Sequence, residues 1–122
     1  MKNDIDYNFY QLGDLVLQCG MTLKNAFLAY KTYGELNQTK DNVIVYPTWF
    51  SGQHYENEWL IGPGKALDPT KYYIIVPNML GNGLSSSPSN TPEPLNGARF
   101  PRITAYDNVM AQKRIIDSFG IQ

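Results

Sequence analysis

The residues best suited to chemistry follow the first strongly apolar stretch of the chain. Residues 47–54 read PTWFSGQH. A turn that leaves the carboxyl end of a parallel strand lies where open α/β sheets bind their ligands. Backbone N–H groups in such a turn have no sheet partner and can point at a developing oxyanion, as acyl transfer requires. An ordinary tight turn with buried aromatic side chains is the alternative interpretation.

His54 is the single histidine of the chain, and Ser51, Glu56 and Glu58 lie close to it in sequence. Those side chains are the ingredients of a catalytic triad, but triads assemble from distant segments and are recognised by their geometry. Because closeness in sequence does not establish that geometry, we expect His54 to be a partly exposed loop histidine. One histidine and one distant cysteine, Cys19, do not have ligand spacing, so we expect no metal site.

The composition predicts one soluble globular domain or a piece of one. The chain has 122 residues, 43% of them hydrophobic, and a net charge of -1 from 10 basic and 11 acidic residues. Near-neutral charge without a basic cluster excludes nucleic acid and anionic membrane as main partners. Short apolar runs, the lack of a leader sequence and a single cysteine favour a cytoplasmic protein. We expect residues 1–12 to form a loosely attached terminus and residues 13–122 to form the domain.

The sequence of the first half of the domain predicts strands. Residues 14–19 predict a short strand that buries Cys19, and residues 25–33 predict a second strand that pairs with it through a turn at Gly20. On the second strand, alternation places one set of side chains on one face and the other set on the opposite face. The first set is Ala26, Leu28, Tyr30 and Thr32, and the second is Phe27, Ala29, Lys31 and Tyr33.

Two apolar runs without polar alternation, residues 43–46 and 71–76, predict strands that are covered on both faces, as in a parallel sheet joined by a crossover. Pro47 and Pro77 should end them, because proline cannot supply a ladder N–H. Residues 78–102 are rich in Gly, Ser, Pro and Asn and predict a long loop.

A helix is predicted after the loop. Thr104 and Asp107 approximate a capping box at its start, and Gly120 is a natural stop. The predicted apolar stripe consists of Val109, Met110, Lys113, Ile115 and Ile116. The order of elements indicates an α/β fold with antiparallel first strands, then parallel strands with a crossover and a helix.

Four collinear stretches carry a family resemblance. They are residues 29–37 (AYKTYGELN), 60–68 (LIGPGKALD), 73–81 (YIIVPNMLG) and 100–112 (FPRITAYDNVMAQ). These stretches resemble segments of homoserine O-acetyltransferases and their relatives in the α/β-hydrolase superfamily. Because they are collinear and extend over nearly the whole chain, the four stretches together are specific for this family, although each alone is weak evidence.

The resemblance implies acyl transfer through a serine, with acyl-CoA as donor, a small hydroxyl acceptor and no cofactor. It also gives residues 47–52 (PTWFSG) a role, since the family reads HALTG there and uses one backbone amide in the oxyanion hole. By position the Trp49 amide is the expected donor, with Thr48 and Phe50 as neighbouring candidates. The candidate pocket residues are Ser51, Gly52 and His54.

The chain also departs from the family pattern. Residues 82–90 (NGLSSSPSN) differ from the family's CYGSTGPxS, which indicates a divergent branch whose substrate need not be homoserine. The nucleophilic serine is expected on a strand after Ile121. The resemblance therefore implies an amino-terminal portion, truncated before the nucleophile elbow, that lacks the catalytic Ser, Asp and His. His54 is not the family's base.

Three interpretations follow for the function. The chain is a fragment of an acyltransferase or esterase that is inactive alone because it lacks a nucleophile. Alternatively, it is one half of a split enzyme that a complementing chain or a homodimer completes. The third interpretation is a non-catalytic binding module that uses the aromatic residues of segment 46–59. We also expect an exposed strand edge, and hence marginal stability of the isolated chain.

Overall fold

The computed structural model describes residues 7–49 and 52–121. Within them, a mixed four-stranded sheet has the strand order β1–β2–β4–β3. The strands are β1 (Asn8–Val16), β2 (Thr22–Tyr33), β3 (Val43–Val45) and β4 (Tyr73–Pro77), and the helix α1 spans Ala105–Ser118.

The antiparallel pairing of β1 with β2 confirms the predicted hairpin, but β1 begins earlier than the strand predicted at residues 14–19. The register shifts on both sides of Gly13, and these irregularities hide the alternation of side chains from the sequence. Residues 8–12, which we expected in a loose terminus, are therefore part of the sheet. Residues 1–6 lie outside the described residues.

The turn between β1 and β2 corrects the prediction for Cys19. Gly20 lies in this turn with a φ of 95°, as predicted, and its N–H donates to Leu17 O at 2.9 Å. Cys19 precedes it and is exposed, so the prediction of a buried strand cysteine was wrong. β1 ends at Val16, before Cys19, and Leu17 N–H closes the hairpin by donating to Met21 O at 2.8 Å.

β3 and β4 are parallel and joined by a crossover, as predicted, and β4 also pairs antiparallel with β2. Four of the five β4 residues are buried, as expected for a central strand. β3 is only half-buried, contrary to the prediction, because it forms the edge of the described sheet. Pro77 is the last residue of β4, and the crossover contains a short 3-10 helix, His54–Leu60.

Two apolar clusters cover opposite faces of the sheet. On β2, Leu28 belongs to the cluster beneath α1, whereas Tyr33 packs with Ile74 and Val76 of β4 in the cluster beneath the crossover. Because strand side chains alternate between faces, this division confirms the two faces predicted for β2. The crossover side is completed by Leu67 and by the partly buried Ile44, Tyr46, Leu60 and Ile61.

α1 begins with the predicted capping box. Thr104 Oγ1 accepts from Asp107 N at 3.1 Å, and Asp107 Oδ2 accepts from Thr104 N at 3.0 Å. The predicted stripe is wrong in part, because Val109, Met110 and Lys113 are exposed while polar side chains face inward. The buried face consists of Asp107, Asn108, Ala111, Gln112 and Ile115. Tertiary hydrogen bonds keep the polar members buried, for example Asn108 Oδ1 accepting from Leu80 N at 2.8 Å.

Candidate active site

Two segments leave the same edge of the sheet, because β3 and β4 are parallel. We call residues 46–53 the β3 turn and residues 78–91 the β4 loop. The carboxyl edge of parallel strands is where α/β folds place ligands, because the connections there are free to shape a site. The two segments are therefore the structural elements that can form a site in this chain.

The β3 turn contains the residues predicted to form an oxyanion hole. Thr48 N–H donates to Pro77 O at 3.2 Å, so this amide is already engaged with β4. Trp49 N–H makes no hydrogen bond to the residues that the structure describes, and half of the Trp49 residue surface is exposed. Phe50 and Ser51 lie outside the described residues, so their predicted roles stay predictions.

The turn closes by a tight approach between Trp49 and Gly52. Gly52 N–H donates to Trp49 O at 3.1 Å, and the Trp49 indole lies against the Gly52 Cα. A Cβ at Gly52 would collide with that ring. Gly52 is buried, and the close contact shows why a residue without a side chain suits this position.

His54 is buried rather than partly exposed, which corrects the sequence prediction. Its N–H donates to Asn78 Oδ1 at 2.9 Å, and its Nδ1 lies 3.2 Å from Asn78 Nδ2. Since the Asn78 oxygen accepts the His54 backbone N–H, the amide nitrogen is the group that faces the ring. An amide nitrogen only donates, so His54 Nδ1 accepts, which places the proton of a neutral ring on Nε2.

The carboxylates close to His54 in sequence bind other groups. Glu56 Oε1 accepts from Gln53 N at 2.7 Å in a capping box of the 3-10 helix. Glu58 Oε2 accepts from Tyr33 Oη at 2.6 Å and from Lys31 Nζ at 3.2 Å. Glu56 thus caps the 3-10 helix, and Glu58 holds the crossover against β2.

The β4 loop buries polar residues, Ser85, Ser86 and Ser87 among them, which the sequence did not reveal. Ser85 Oγ accepts from Ala29 N at 2.8 Å and donates to Asn78 O at 2.7 Å. Ser86 Oγ accepts from Phe27 N at 2.9 Å. These hydroxyls take up backbone donors of β2 where no neighbouring strand does so, as buried N–H groups require. The loop is therefore fixed to the sheet by its serines.

The segment at residues 60–68 is organised by Asp68. Its Oδ2 accepts from Gly64 N at 2.9 Å, and its Oδ1 accepts from Thr70 Oγ1 at 2.6 Å and from Thr70 N at 2.9 Å. The Thr70 hydroxyl, the Gly64 and Thr70 amides and the nearby Lys71 charge hold the pKa of Asp68 below its usual value. Asp68 stabilises the crossover and has no contact with the β3 turn among its hydrogen bonds.

Known proteins with this sequence pattern are acyl-transfer enzymes and esterases. The ethyl acetate hydrolase of Pseudomonas veronii is 42% identical over 123 residues, which are 99% of this chain and 35% of that protein. The homoserine O-acetyltransferase of Nautilia profundicola is 42% identical over 125 residues, or 88% of this chain and 34% of that protein. No family model matches. The chain spans about a third of the length of these relatives.

Solved structures of an esterase and of an acetyltransferase also match the fold of this chain. The acetyl esterase MekB matches with a TM-score of 0.90 and 44% identity, over 94% of this chain and 34% of that chain. A homoserine O-acetyltransferase from Bacillus anthracis matches with a TM-score of 0.73 and 28% identity, over 94% of this chain and 37% of that chain. The fold is that of the amino-terminal portion of an α/β-hydrolase.

The sequence and structural matches identify the branch as well. The chain belongs to the α/β-hydrolase superfamily, in the group that contains homoserine O-acetyltransferases and related esterases, and this confirms the resemblance found in the sequence. Within the described ranges, no helix is long and apolar enough to cross a bilayer.

Proposed function

We propose that this chain supplies the oxyanion side of a serine-dependent esterase that hydrolyses small acetyl esters. The observation that carries the proposal is the Trp49 amide, which lies at the carboxyl edge of two parallel strands without a hydrogen-bond partner among the described residues. The Thr48 amide is an unsuitable donor because Pro77 O already accepts it. Phe50 remains a neighbouring candidate.

In the proposed mechanism, a serine outside this chain attacks the ester carbonyl. The carbonyl oxygen becomes negatively charged in the tetrahedral intermediate, and Trp49 N–H donates a hydrogen bond to it. The intermediate collapses with loss of the alcohol, and the acyl group stays on the serine. Water then attacks the acyl-enzyme and releases the carboxylic acid. A histidine and an acidic residue, both outside this chain, move the protons and orient the base.

Two observations favour hydrolysis over transfer to homoserine. The β3 turn departs from the HALTG of homoserine acetyltransferases, since it reads PTWFSG, is one residue longer and has no leading histidine. The match to the acetyl esterase is also closer in backbone than the match to the acetyltransferase. Transfer from acyl-CoA to a small hydroxyl compound is the second candidate, supported by the identity to the Nautilia enzyme.

The rest of the enzyme would also complete the sheet. β3 is the edge strand of the described sheet, and its outer backbone groups are available to a further strand. We therefore expect the 122-residue chain alone to be marginally stable and inactive. Cooperative, reversible unfolding of the monomeric chain would count against the need for a further strand.

A chimeric enzyme tests the proposed function. Residues 1–122 would replace the matched third of the ethyl acetate hydrolase of Pseudomonas veronii, which is 42% identical to them. We expect the chimera to hydrolyse ethyl acetate and p-nitrophenyl acetate, whereas the chain alone does not. A folded chimera that hydrolyses neither ester would contradict the proposal. Release of free CoA from acetyl-CoA only when homoserine is added would instead favour transfer.

Two further observations separate a fragment of one polypeptide, a split enzyme and a chain that is active alone. Reading the frame after Gln122 separates a single polypeptide from a split enzyme, because only the former continues in frame to a G-x-S-x-G segment. Ester hydrolysis by the isolated chain, abolished by substitution of Ser51 or His54, would contradict every interpretation in which the nucleophile lies elsewhere.

A further inference from the structure

The β3 turn has few hydrogen bonds of its own, so other groups must hold it in place. Within the described part of the turn, the internal backbone bond runs from Gly52 N to Trp49 O. The remaining described hydrogen bonds of the turn go to β4, to the β4 loop and to Glu56 of the 3-10 helix. Thr48 binds Pro77 O and Met79 N, and Gln53 Nε2 donates to Asn82 O at 3.1 Å, while Gln53 N donates to Glu56 Oε1 at 2.7 Å. The position of a catalytic amide on this turn therefore depends on the β4 loop.

Asn82 connects the two segments with its side chain. Its Nδ2 donates to Gly52 O at 2.9 Å and to Asn78 Oδ1 at 3.0 Å. Its Oδ1 accepts from Leu84 N at 3.0 Å within the β4 loop. Because that oxygen accepts a backbone N–H, the nitrogen is the end that faces Gly52, and both of its protons have acceptors.

We propose that Asn82 is a positioning residue that fixes the β3 turn, and with it the Trp49 amide, against the β4 loop. This inference rests on the proposed function. Asn82 holds the carbonyl of Gly52, and Gly52 in turn donates to Trp49 O, so two hydrogen bonds separate the Asn82 side chain from the Trp49 residue. Asn82 also binds Asn78 Oδ1, which accepts from His54 N, the residue that directly follows the turn.

The loop also contains a matched control, Asn90. Its Nδ2 donates to Ser85 O at 3.0 Å and its Oδ1 accepts from Ser87 N at 2.8 Å. Both asparagines hold the β4 loop, but only Asn82 donates to the β3 turn. Substitution of Asn90 should disturb the β4 loop alone, whereas substitution of Asn82 should also shift the β3 turn.

The test uses Asn82→Asp and Asn90→Ala in the esterase-active chimera. Asn82→Asp keeps the acceptor for Leu84 N but removes the donor to Gly52 O. We expect kcat for p-nitrophenyl acetate to fall about 10- to 100-fold, because small displacements of a catalytic group have effects of that size, while KM changes less than about twofold. Asn90→Ala should leave kcat within about twofold of the parent. Equal losses in both variants, or an unchanged kcat in Asn82→Asp, would overturn the proposal.

Hydrogen exchange provides a readout that does not need activity. The Gly52, Gln53 and His54 amides all donate hydrogen bonds, to Trp49 O, Glu56 Oε1 and Asn78 Oδ1. We expect Asn82→Asp to accelerate their exchange and Asn90→Ala to leave it unchanged. If the parent lacks esterase activity, the proposed function fails, but this exchange pattern still decides whether Asn82 holds the turn. Unchanged exchange in Asn82→Asp would contradict the inference.

Discussion

The β3 turn and the β4 loop leave the same sheet edge but are stabilised differently. The β4 loop binds its buried hydroxyls to itself and to β2, and Asn108 of α1 accepts its Leu80 N–H, with Ser85, Ser86 and Ser87 all buried. The β3 turn exposes Trp49 and takes most of its described hydrogen bonds from β4 and the β4 loop. A loop held by buried hydroxyls thus supports the turn that, in the function we propose, presents its backbone to a substrate.

This difference suits the chemistry we propose. An oxyanion donor is effective when its position is fixed before the reaction begins. The donor itself must stay unpaired, so a turn that used all of its N–H groups internally could not serve. With the supporting hydrogen bonds on the neighbouring loop, the Trp49 amide has no hydrogen-bond partner among the described residues.

The largest expected effect comes from removing the proposed donor. In the chimera, Trp49→Pro eliminates the backbone N–H and should lower kcat about 100- to 1000-fold, the range for loss of one oxyanion-hole donor. Trp49→Ala keeps the N–H and removes the indole, and it should retain most of the activity. Steady-state kinetics with p-nitrophenyl acetate measures both. Equal activity of the two variants would show that this amide is not the donor.

The second effect is on stability and concerns the supporting loop. Ser85→Ala leaves Ala29 N–H and Asn78 O without their partner in a fully buried place, so we expect the free energy of unfolding to fall by about 2–4 kcal/mol. Urea denaturation of the chimera measures the change. Ser89→Ala, at an exposed position of the same loop, is the control. A Ser85→Ala variant as stable as Ser89→Ala would contradict the supporting role.

The sequence predicted elements that depend on local chemistry. The Thr104–Asp107 capping box, the turn at Gly20 and the parallel strands around a crossover were confirmed because they follow from residue types and short spacings. The burial of Ser85 and His54 was missed because each pairs with a group far along the chain, 56 residues away for Ala29 and 24 for Asn78. Polar residues become core residues only through such partners.

A smaller effect is expected where the two segments meet through Thr48. Its buried Oγ1 accepts from Met79 N at 3.1 Å, and Thr48→Val removes this acceptor at nearly constant volume. The unfolding free energy should fall by about 1–2 kcal/mol. Thr32→Val in β2, where the hydroxyl makes no hydrogen bond to the described residues, provides the control. No difference between these variants would mean that the bond contributes little to the contact between the segments.

The smallest effect concerns Asp68, which makes no hydrogen bond to the described residues of either segment. Its hydrogen bonds hold the folded-state pKa of Asp68 below the ordinary carboxyl value of about 3.9. The ionised carboxylate therefore adds to the free energy of unfolding, in full, at pH values above that ordinary value. The contribution is lost as the pH falls through the lowered folded pKa. Asp68→Asn should therefore lower the free energy of unfolding at neutral pH without changing kcat. In a plot of the free energy of unfolding against pH, the decrease at acidic pH should become less steep. A variant with an unaltered decrease at acidic pH would contradict this role, and the exposed Glu35→Gln is the control.

The most direct test of the account is a crystal structure of the chimera with its nucleophilic serine trapped by a phosphonate ester. The phosphonyl oxygen takes the position of the oxyanion in the tetrahedral intermediate. Our account predicts this oxygen at about 2.7–3.1 Å from Trp49 N. A phosphonyl oxygen that is bound by other donors, with the Trp49 amide turned away from it, would contradict the central claim.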